Sequence, residues 1–191
     1  MSRRYLTLPT ALVIGLAIIV IAEGIVFWMG HPIFCKCGTI KFWYGLKSGP
    51  EQSQQFTDWY TYSHILHGII LYWLLAIVSR GRLSVAARFV IAALIEGAWE
   101  VFENTSFIID RYRTQTISHD YFGDTVLNST GDILAMFLGF FIAARLPVWL
   151  TVVLLIGTEL TLLYLIRDNL TLNIIMLVHP IEWIKQWQAG G

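Results

Sequence analysis

Five stretches of mostly apolar residues run through the chain, at 9–29, 58–78, 84–104, 123–144 and 148–166. As helices rising 1.5 Å per residue, each is long enough to cross a hydrocarbon core of about 30 Å. Turn-forming or charged segments separate them. The long segment 30–58 contains the run SGPEQSQQ, 79–84 reads SRGRLS, 105–122 reads as a second long loop, and Arg145 and Pro147 mark the last tight turn. The first stretch is not a signal peptide: its apolar run is too long, Glu23 interrupts it, and no small-x-small cleavage site follows. Asp58 is placed to N-cap the second helix. Residues 172–187 are too short and too polar at their end to span. Trp183, Ile184 and Trp187 stand against Glu182, Lys185 and Gln186, which predicts an amphipathic helix on the membrane surface. The fold class is therefore all-α: a bundle of five transmembrane helices with an amphipathic C-terminal helix. With no repeat and no dividing linker, residues 1–191 form one integral membrane domain.

Composition sharpens this picture. Charged residues make up 14% of the chain and hydrophobic ones 56%, against about 25% charged in soluble domains. Net charge is zero, so no basic surface points to nucleic acid. Eight Trp, eight Tyr and eleven Phe suit a protein with two membrane interfaces, and Trp59, Tyr60 and Tyr62 sit at the mouth of the second helix. Basic residues do not orient the chain by number. With the N-terminus inside, six lie inside (Arg3, Arg4, Arg80, Arg82, Arg88, Arg145) and seven outside (Lys36, Lys41, Lys47, Arg111, Arg113, Arg167, Lys185). Density decides instead: Arg80 and Arg82 occupy a short turn, which places the N-terminus in the cytoplasm and the C-terminus outside.

Under that topology the polar residues of the spans converge. His64 and His67 lie one to two turns below the outer surface. Glu96, Glu100 and Glu103 climb the outer half of the third helix at i, i+4, i+7. Asp124, Asn128 and Asp132 descend the fourth at i, i+4, i+8. Glu23 stands in the outer half of the first helix, and Gly97 and Ala98 beside the Glu stripe leave room for a close neighbour. Each acid left facing lipid would cost a few kcal/mol. These groups must face one another, a cation or water. Glu159, alone near the middle of the fifth helix, reads as a partner of the cluster or of the surroundings of Glu23. Asp110, Asp168 and Glu182 read as plain surface.

Two readings of the convergence stand side by side. One is a hydrogen-bond network that fastens helices. The other is a polar site opening outward. As a site, it supports three chemistries. Two His with several carboxylates can hold a divalent metal, with His64, His67, Glu100 and Asp124 as the ligand set. Paired carboxylates can act as acid and base. Alternating His and acid can relay protons or hold a cationic substrate. The catalytic candidates are His64, His67, Glu96, Glu100, Asp124, Asn128 and Asp132. Arg111, Arg113, Tyr60, Glu103 and Asp120 are the ligand-binding ones, with the two Arg placed to hold an anionic head group. No GxSxG, HExxH or phosphate-cradling Gly loop is present. Cys35-Lys36-Cys37, after His31, leaves three options open: a disulfide, two free loop thiols, or a metal site with His31. The Asn-x-Ser/Thr triplets at Asn104, Asn128 and Asn169 lie too close to helices to mean glycosylation.

The runs CKCGTIKFWYG (35–45), SQQFTDWYTYSHILHG (53–68), EGAWEVFEN (96–104) and DYFGDTVLNSTGD (120–132) closely resemble an uncharacterised family of bacterial multi-pass inner-membrane proteins, a domain of unknown function. The resemblance covers most of the chain. It implies a bacterial cell-membrane location and supplies no activity. A more distant likeness is to the VanZ-like membrane proteins. The elements that carry it are a His-bearing helix (His64 or His67), an acid-bearing helix (Glu96 or Glu100), an Arg-containing loop (Arg111 or Arg113), and a helix opening with Asp124, Asn128 and Gly131. This chain departs from them by its extra acids and a longer segment between the acidic helix and the loop.

Two classes of function follow. The first is an outward-facing intramembrane His/carboxylate site that handles a lipid or envelope intermediate. The second is a non-enzymatic binding subunit or small cation-coupled transporter. The sequence does not decide whether the protein is an enzyme. Membrane lipids are the expected partners, and as a transporter a five-helix chain calls for a homo-oligomer.

Overall fold

A computed structural model of the protein describes residues 6–190. Arg3 and Arg4, used above to orient the chain, lie outside the described residues. Within them the chain forms eight helices and no strand: α1 (Leu8–Trp28), α2 (Thr61–Val78), α3 (Val85–Glu103), α4 (Ser106–Gln115), α5 (Val126–Arg145), α6 (Val148–Ile166), α7 (Leu170–Val178) and α8 (Glu182–Ala189). Side-chain caps set several starts. Ser84 accepts from the Ala87 N–H, Thr125 from Asn128 N–H and Asn169 from Leu172 N–H, each satisfying an orphan donor of a first turn. Pro147 precedes α6, and Arg167 ends it in the left-handed region at φ 57°.

Four helices, α1, α2, α5 and α6, are long and apolar enough to cross a membrane. The equally long α3 differs from them in carrying Arg88, Glu96, Glu100 and Glu103. Broad apolar faces point outward, such as Val13, Leu16 and Val20 on α1 and Trp149, Val152 and Ile156 on α6. A soluble monomer rarely exposes continuous faces of this size, and lipid accommodates them.

Two helix pairs hold the bundle together. α2 and α5 run side by side in the same sense, with almost no side chain between them. A Cβ on Gly139 would stand 1.9 Å from the Ile65 carbonyl oxygen, and one on Gly68 2.1 Å from that of Met136. Contact this close is what small residues give helices in a bilayer, where dispersion replaces the hydrophobic effect. α1 and α3 form the second pair: Gly97 faces Ile18 and Ala22, and Gly15 faces the Phe89 ring. Phe89, Phe137, Phe140 and Tyr72 fill the space between the pairs with edge-to-face rings.

The connections sort to two ends. The short turns at 79–84 and 146–147 lie at one end. The segment 30–60, α4, α7 and α8 gather at the other, where they interlock. The carbonyls of Pro32, Ile33 and Ser53 accept from the N–H groups of Val126, Leu127 and Thr125, so this segment caps the first turn of α5. Lys47 donates to the Gln188 carbonyl and Lys185 to that of Thr114.

Three sequence expectations change here. The second helix starts at Thr61 and not at Asp58. Asp58 does not N-cap it. Its buried carboxylate accepts instead from the N–H groups of Ser53 and Tyr60. The segment 105–122 is not all loop. It contains α4, whose Ile108 and Tyr112, one turn apart, are buried against Tyr121 and Leu177. The C-terminal stretch 172–187 is two helices, because Pro180 has no N–H to give and biases His179 away from helical geometry. α8 keeps the amphipathic pattern. α7 buries Leu170, Met176 and Leu177 and packs against α4. Cys35 and Cys37 form a disulfide, which closes the open question about these thiols.

Candidate functional site

At the interlocked end a cavity of about 320 Å³ lies between α2, α3, α4 and α7. Its lining is mixed: His64, His67, Glu96, Glu103, Asp124 and Asp132 reach it. Ile70, Leu71, Ile95, Trp99, Ile174 and Leu177 line it too, and the Trp99 ring stands edge-on to that of His67.

His64 is the centre of the polar group. It stands on the face of α2 turned toward α3 and α5, and is 6% exposed. Its Nδ1 is 2.7 Å from Glu96 Oε1 and 3.3 Å from Glu100 Oε1. Its Nε2 is 3.9 Å from Asp132 Oδ2, too far for a hydrogen bond. One turn on, His67 Nδ1 reaches the same Glu96 oxygen at 3.1 Å, and its ring lies edge-on to that of His64. The i, i+3 spacing of the two imidazoles thus brings both onto one carboxylate.

Behind this group lies a second layer. Ser129 Oγ is 2.8 Å from both Glu23 Oε1 and Glu100 Oε2. A hydroxyl has one hydrogen to give, so the second short contact needs a hydrogen from one of the two carboxyl groups. Asn104 fastens the end of α3 to the approach to α5. Its Nδ2 donates to the Glu100 carbonyl and to Asp124 Oδ2, and its Oδ1 accepts from the Asp124 N–H. The Tyr121 hydroxyl is 3.2 Å from Asp124, and burial pushes the Asp124 carboxyl up to about 6. His31 closes the same corner, with its two ring nitrogens at the carbonyls of Asp124 and Asn104.

The sequence candidates therefore divide. His64, His67, Glu96, Glu100 and Asp132 come together. Glu103 and Tyr60 line the cavity, and the Tyr60 hydroxyl donates to Asp168. Asp124 lines it too, from the turn before α5 and not from a helical stripe. Asn128 lies on α5 but donates to the Gln55 carbonyl, away from the histidines. Asp120 is exposed outside the cavity. Arg111 and Arg113 do not reach the acids. Arg111 donates to the Leu177 and Val178 carbonyls at the end of α7, and Arg113 stacks over the exposed Phe122 ring.

Other residues take places that the pattern did not give them. Glu159 is no partner of the cluster: its carboxylate accepts from the Leu170 and Thr171 N–H groups and caps α7. Asp168 is not surface. It is buried, accepts from Tyr60 and Gln188, and its carboxyl is pushed up to about 6 by that burial. Asn104 and Ser129 were legible in part, since Asn104 continues the Glu stripe at i+4 from Glu100 and Ser129 lies one turn before Asp132. Nothing in one dimension marked Tyr112, Tyr121 or Asn173.

The chain resembles curated bacterial proteins over nearly its whole length. A UPF0314 protein of Paracoccus denitrificans (strain Pd 1222) is 51% identical, over 91% of this chain and 89% of its own. One of Novosphingobium aromaticivorans is 50% identical over 93% and 90%, and one of Sphingopyxis alaskensis 46% identical over 95% and 96%. No solved structure matches it. Residues 26–190 match the family described as "Protein of unknown function (DUF2585)", and the chain belongs to that family.

Proposed function

We propose that the protein is a five-span inner-membrane protein whose cavity faces the periplasm and takes a lipid or envelope intermediate. One observation carries the reading: the mixed lining of the cavity, which combines His and carboxylates with Ile70, Ile95, Trp99 and Ile174. A soluble metabolite has no use for the apolar lining and an acyl chain has none for the ionisable groups, whereas an amphiphile uses both. α3 is the fifth span in this reading, its acids shielded from lipid by α1, α2 and α5. Support comes from burial, since Glu96 and Glu100 are each 1% exposed while Leu94 and Phe102 face outward on the same helix. Orientation rests on Arg80 and Arg82 in the short turn at the end away from the cavity.

Ile174, half exposed in the cavity wall, is the test position. Protein extracted from native membranes in mild detergent is expected to retain lipid that mass spectrometry detects per chain. Ile174→Trp, which fills the mouth, is expected to lower that amount several-fold while the melting temperature stays put. Equal retention by a folded variant would remove the reading. Orientation has its own measurement, in a background with Cys35 and Cys37 replaced by Ser. An impermeant maleimide should label Asp120→Cys in intact spheroplasts and leave Gly81→Cys unlabelled. The reverse labelling would put the cavity on the cytoplasmic side.

The second reading, a cation-binding subunit or cation-coupled carrier acting as a homo-oligomer, draws on another observation. Among the described residues the Lys/Arg–carboxylate ion pair is Lys41–Glu51, which includes none of the cavity acids. Proton- or cation-dependent uptake in vesicles, with no retained lipid, would favour it.

A further inference from the structure

We propose that His64, His67 and Glu96, with Glu100 beside His64, bind a divalent metal ion of the zinc or manganese type in the wall of the cavity. The inference deepens the reading above, by naming what an amphiphile's polar end would meet there.

The first argument is a count of hydrogens. His64 Nδ1 faces two carboxylate oxygens, Glu96 Oε1 at 2.7 Å and Glu100 Oε1 at 3.3 Å, and a ring nitrogen carries at most one hydrogen. With Glu96 served, Glu100 Oε1 is left with no hydrogen-bond partner, on a residue only 1% exposed. His67 Nδ1 turns to the same Glu96 oxygen and brings no relief to Glu100. Asp132 Oδ1 is a second buried acceptor without a partner, on the residue whose other oxygen, Oδ2, stands 3.9 Å from His64 Nε2. Buried oxygens that accept and receive nothing are costly, and native proteins rarely keep them without a ligand or a water to satisfy them. The surplus here is entirely of acceptors, and it converges on one imidazole. Among the described residues no Lys or Arg forms an ion pair with any member of the group.

The second argument is geometry. Ligands held at about 2.1 Å from a metal stand about 3.0 Å apart at octahedral angles and about 3.4 Å apart at tetrahedral ones. His64 Nδ1 stands 2.7 Å from Glu96 Oε1 and 3.3 Å from Glu100 Oε1, and His67 Nδ1 stands 3.1 Å from Glu96 Oε1, close to the donor spacings that an ion requires. His64, His67 and Glu96 each offer an atom within 4.8 Å of the others, as do His64, Glu100 and Glu103. A mixed imidazole and carboxylate set suits zinc, manganese or iron over calcium and magnesium, which prefer oxygen alone. The set differs from the sequence expectation in one ligand. Asp124 is occupied by Asn104 and Tyr121, and Glu96 takes its place. His67 and Glu96 also line the cavity, so a ligand in the cavity could complete the coordination.

Protein carrying a His-free affinity tag, stripped with chelator in detergent, would be titrated with zinc chloride and separately with manganese chloride. Elemental analysis after gel filtration and thermal unfolding are the readouts. One equivalent of zinc or manganese per chain is expected, with a higher melting temperature, because an ion that binds only the native state stabilises it. His67→Gln lies at the cavity wall and is the variant best placed to fold. It and Glu96→Gln are expected to weaken binding at least about tenfold, and both should lose the thermal response. His119→Gln, an exposed control, should keep both. No stoichiometric metal in the wild type would overturn the proposal, as would equal binding by wild type and His67→Gln. Lipid retention measured on the stripped protein separates the two readings: lipid without metal sinks this inference alone, and metal without lipid sinks the amphiphile reading alone.

Discussion

Gly139→Ala is expected to destabilise the protein by about 3 kcal/mol or more, the upper part of the range for overpacked cores. The added methyl would sit 1.9 Å from the Ile65 carbonyl oxygen and 2.8 Å from its carbon. These are backbone atoms of α2, so no side-chain rotation relieves the overlap and the two helices must separate. Separation reaches the site directly, because Ile65 neighbours His64, and Asp132 lies two turns from Gly139 on α5. The same substitution at Gly157 is the control. A Cβ there meets nothing within 4 Å, and Ala should be neutral or stabilise by about 0.5–1 kcal/mol through helix propensity. Thermal unfolding of both variants in detergent makes the comparison. Equal melting temperatures would mean that α2 and α5 are not in backbone contact.

The glycines show where a one-dimensional reading stops. Period and length gave the helices, because an apolar run of twenty residues has few other uses. The Glu stripe at 96, 100 and 103 was legible for the same reason, since i, i+4, i+7 is one face of a helix wherever that helix sits. The stripe at 124, 128 and 132 was not one. α5 starts at Val126, so Asp124 precedes it and takes its direction from the turn, while Asn128 meets the 30–60 segment. Spacing cannot reveal a helix start that a distant loop fixes, and the carbonyls of Pro32, Ile33 and Ser53 do that here. Arg111 and Arg113 lie on α4 and not on a loop, and two residues apart on a helix they meet different surroundings. Asp168 read as surface because its burial comes from Tyr60 and Gln188, one far upstream and one in the last helix.

Asn104 is the residue in this end of the bundle whose loss should propagate furthest. Asn104→Ala removes three hydrogen bonds at once, of 2.9, 2.8 and 2.7 Å, strands the buried Asp124 N–H and leaves the Asp124 carboxyl group to Tyr121 alone. A buried donor left unsatisfied costs about 1–3 kcal/mol, so a total of about 3 kcal/mol is expected. Asp124→Ala removes the carboxyl group that Asn104 and Tyr121 serve. The double variant should cost less than the two singles combined, by about 1–2 kcal/mol, since one substitution removes the group that the other deprives of a partner. The pH dependence has a definite sign. The Asp124 carboxyl is raised from 3.8 to about 6 by burial, and the Asn104 N–H works against that rise by favouring the charged form. Between those values the folded state binds more protons than the unfolded one, so this group's contribution to stability falls as pH rises through the window. Without Asn104 the carboxyl moves higher still and the loss continues above pH 6. The penalty of Asn104→Ala should therefore be larger at pH 7.5 than at pH 5, and the Asp124→Ala background should abolish that difference. Additive costs with a pH-independent penalty would mean that Asn104 and Asp124 do not meet, and the corner they form behind the histidines would have to be redrawn.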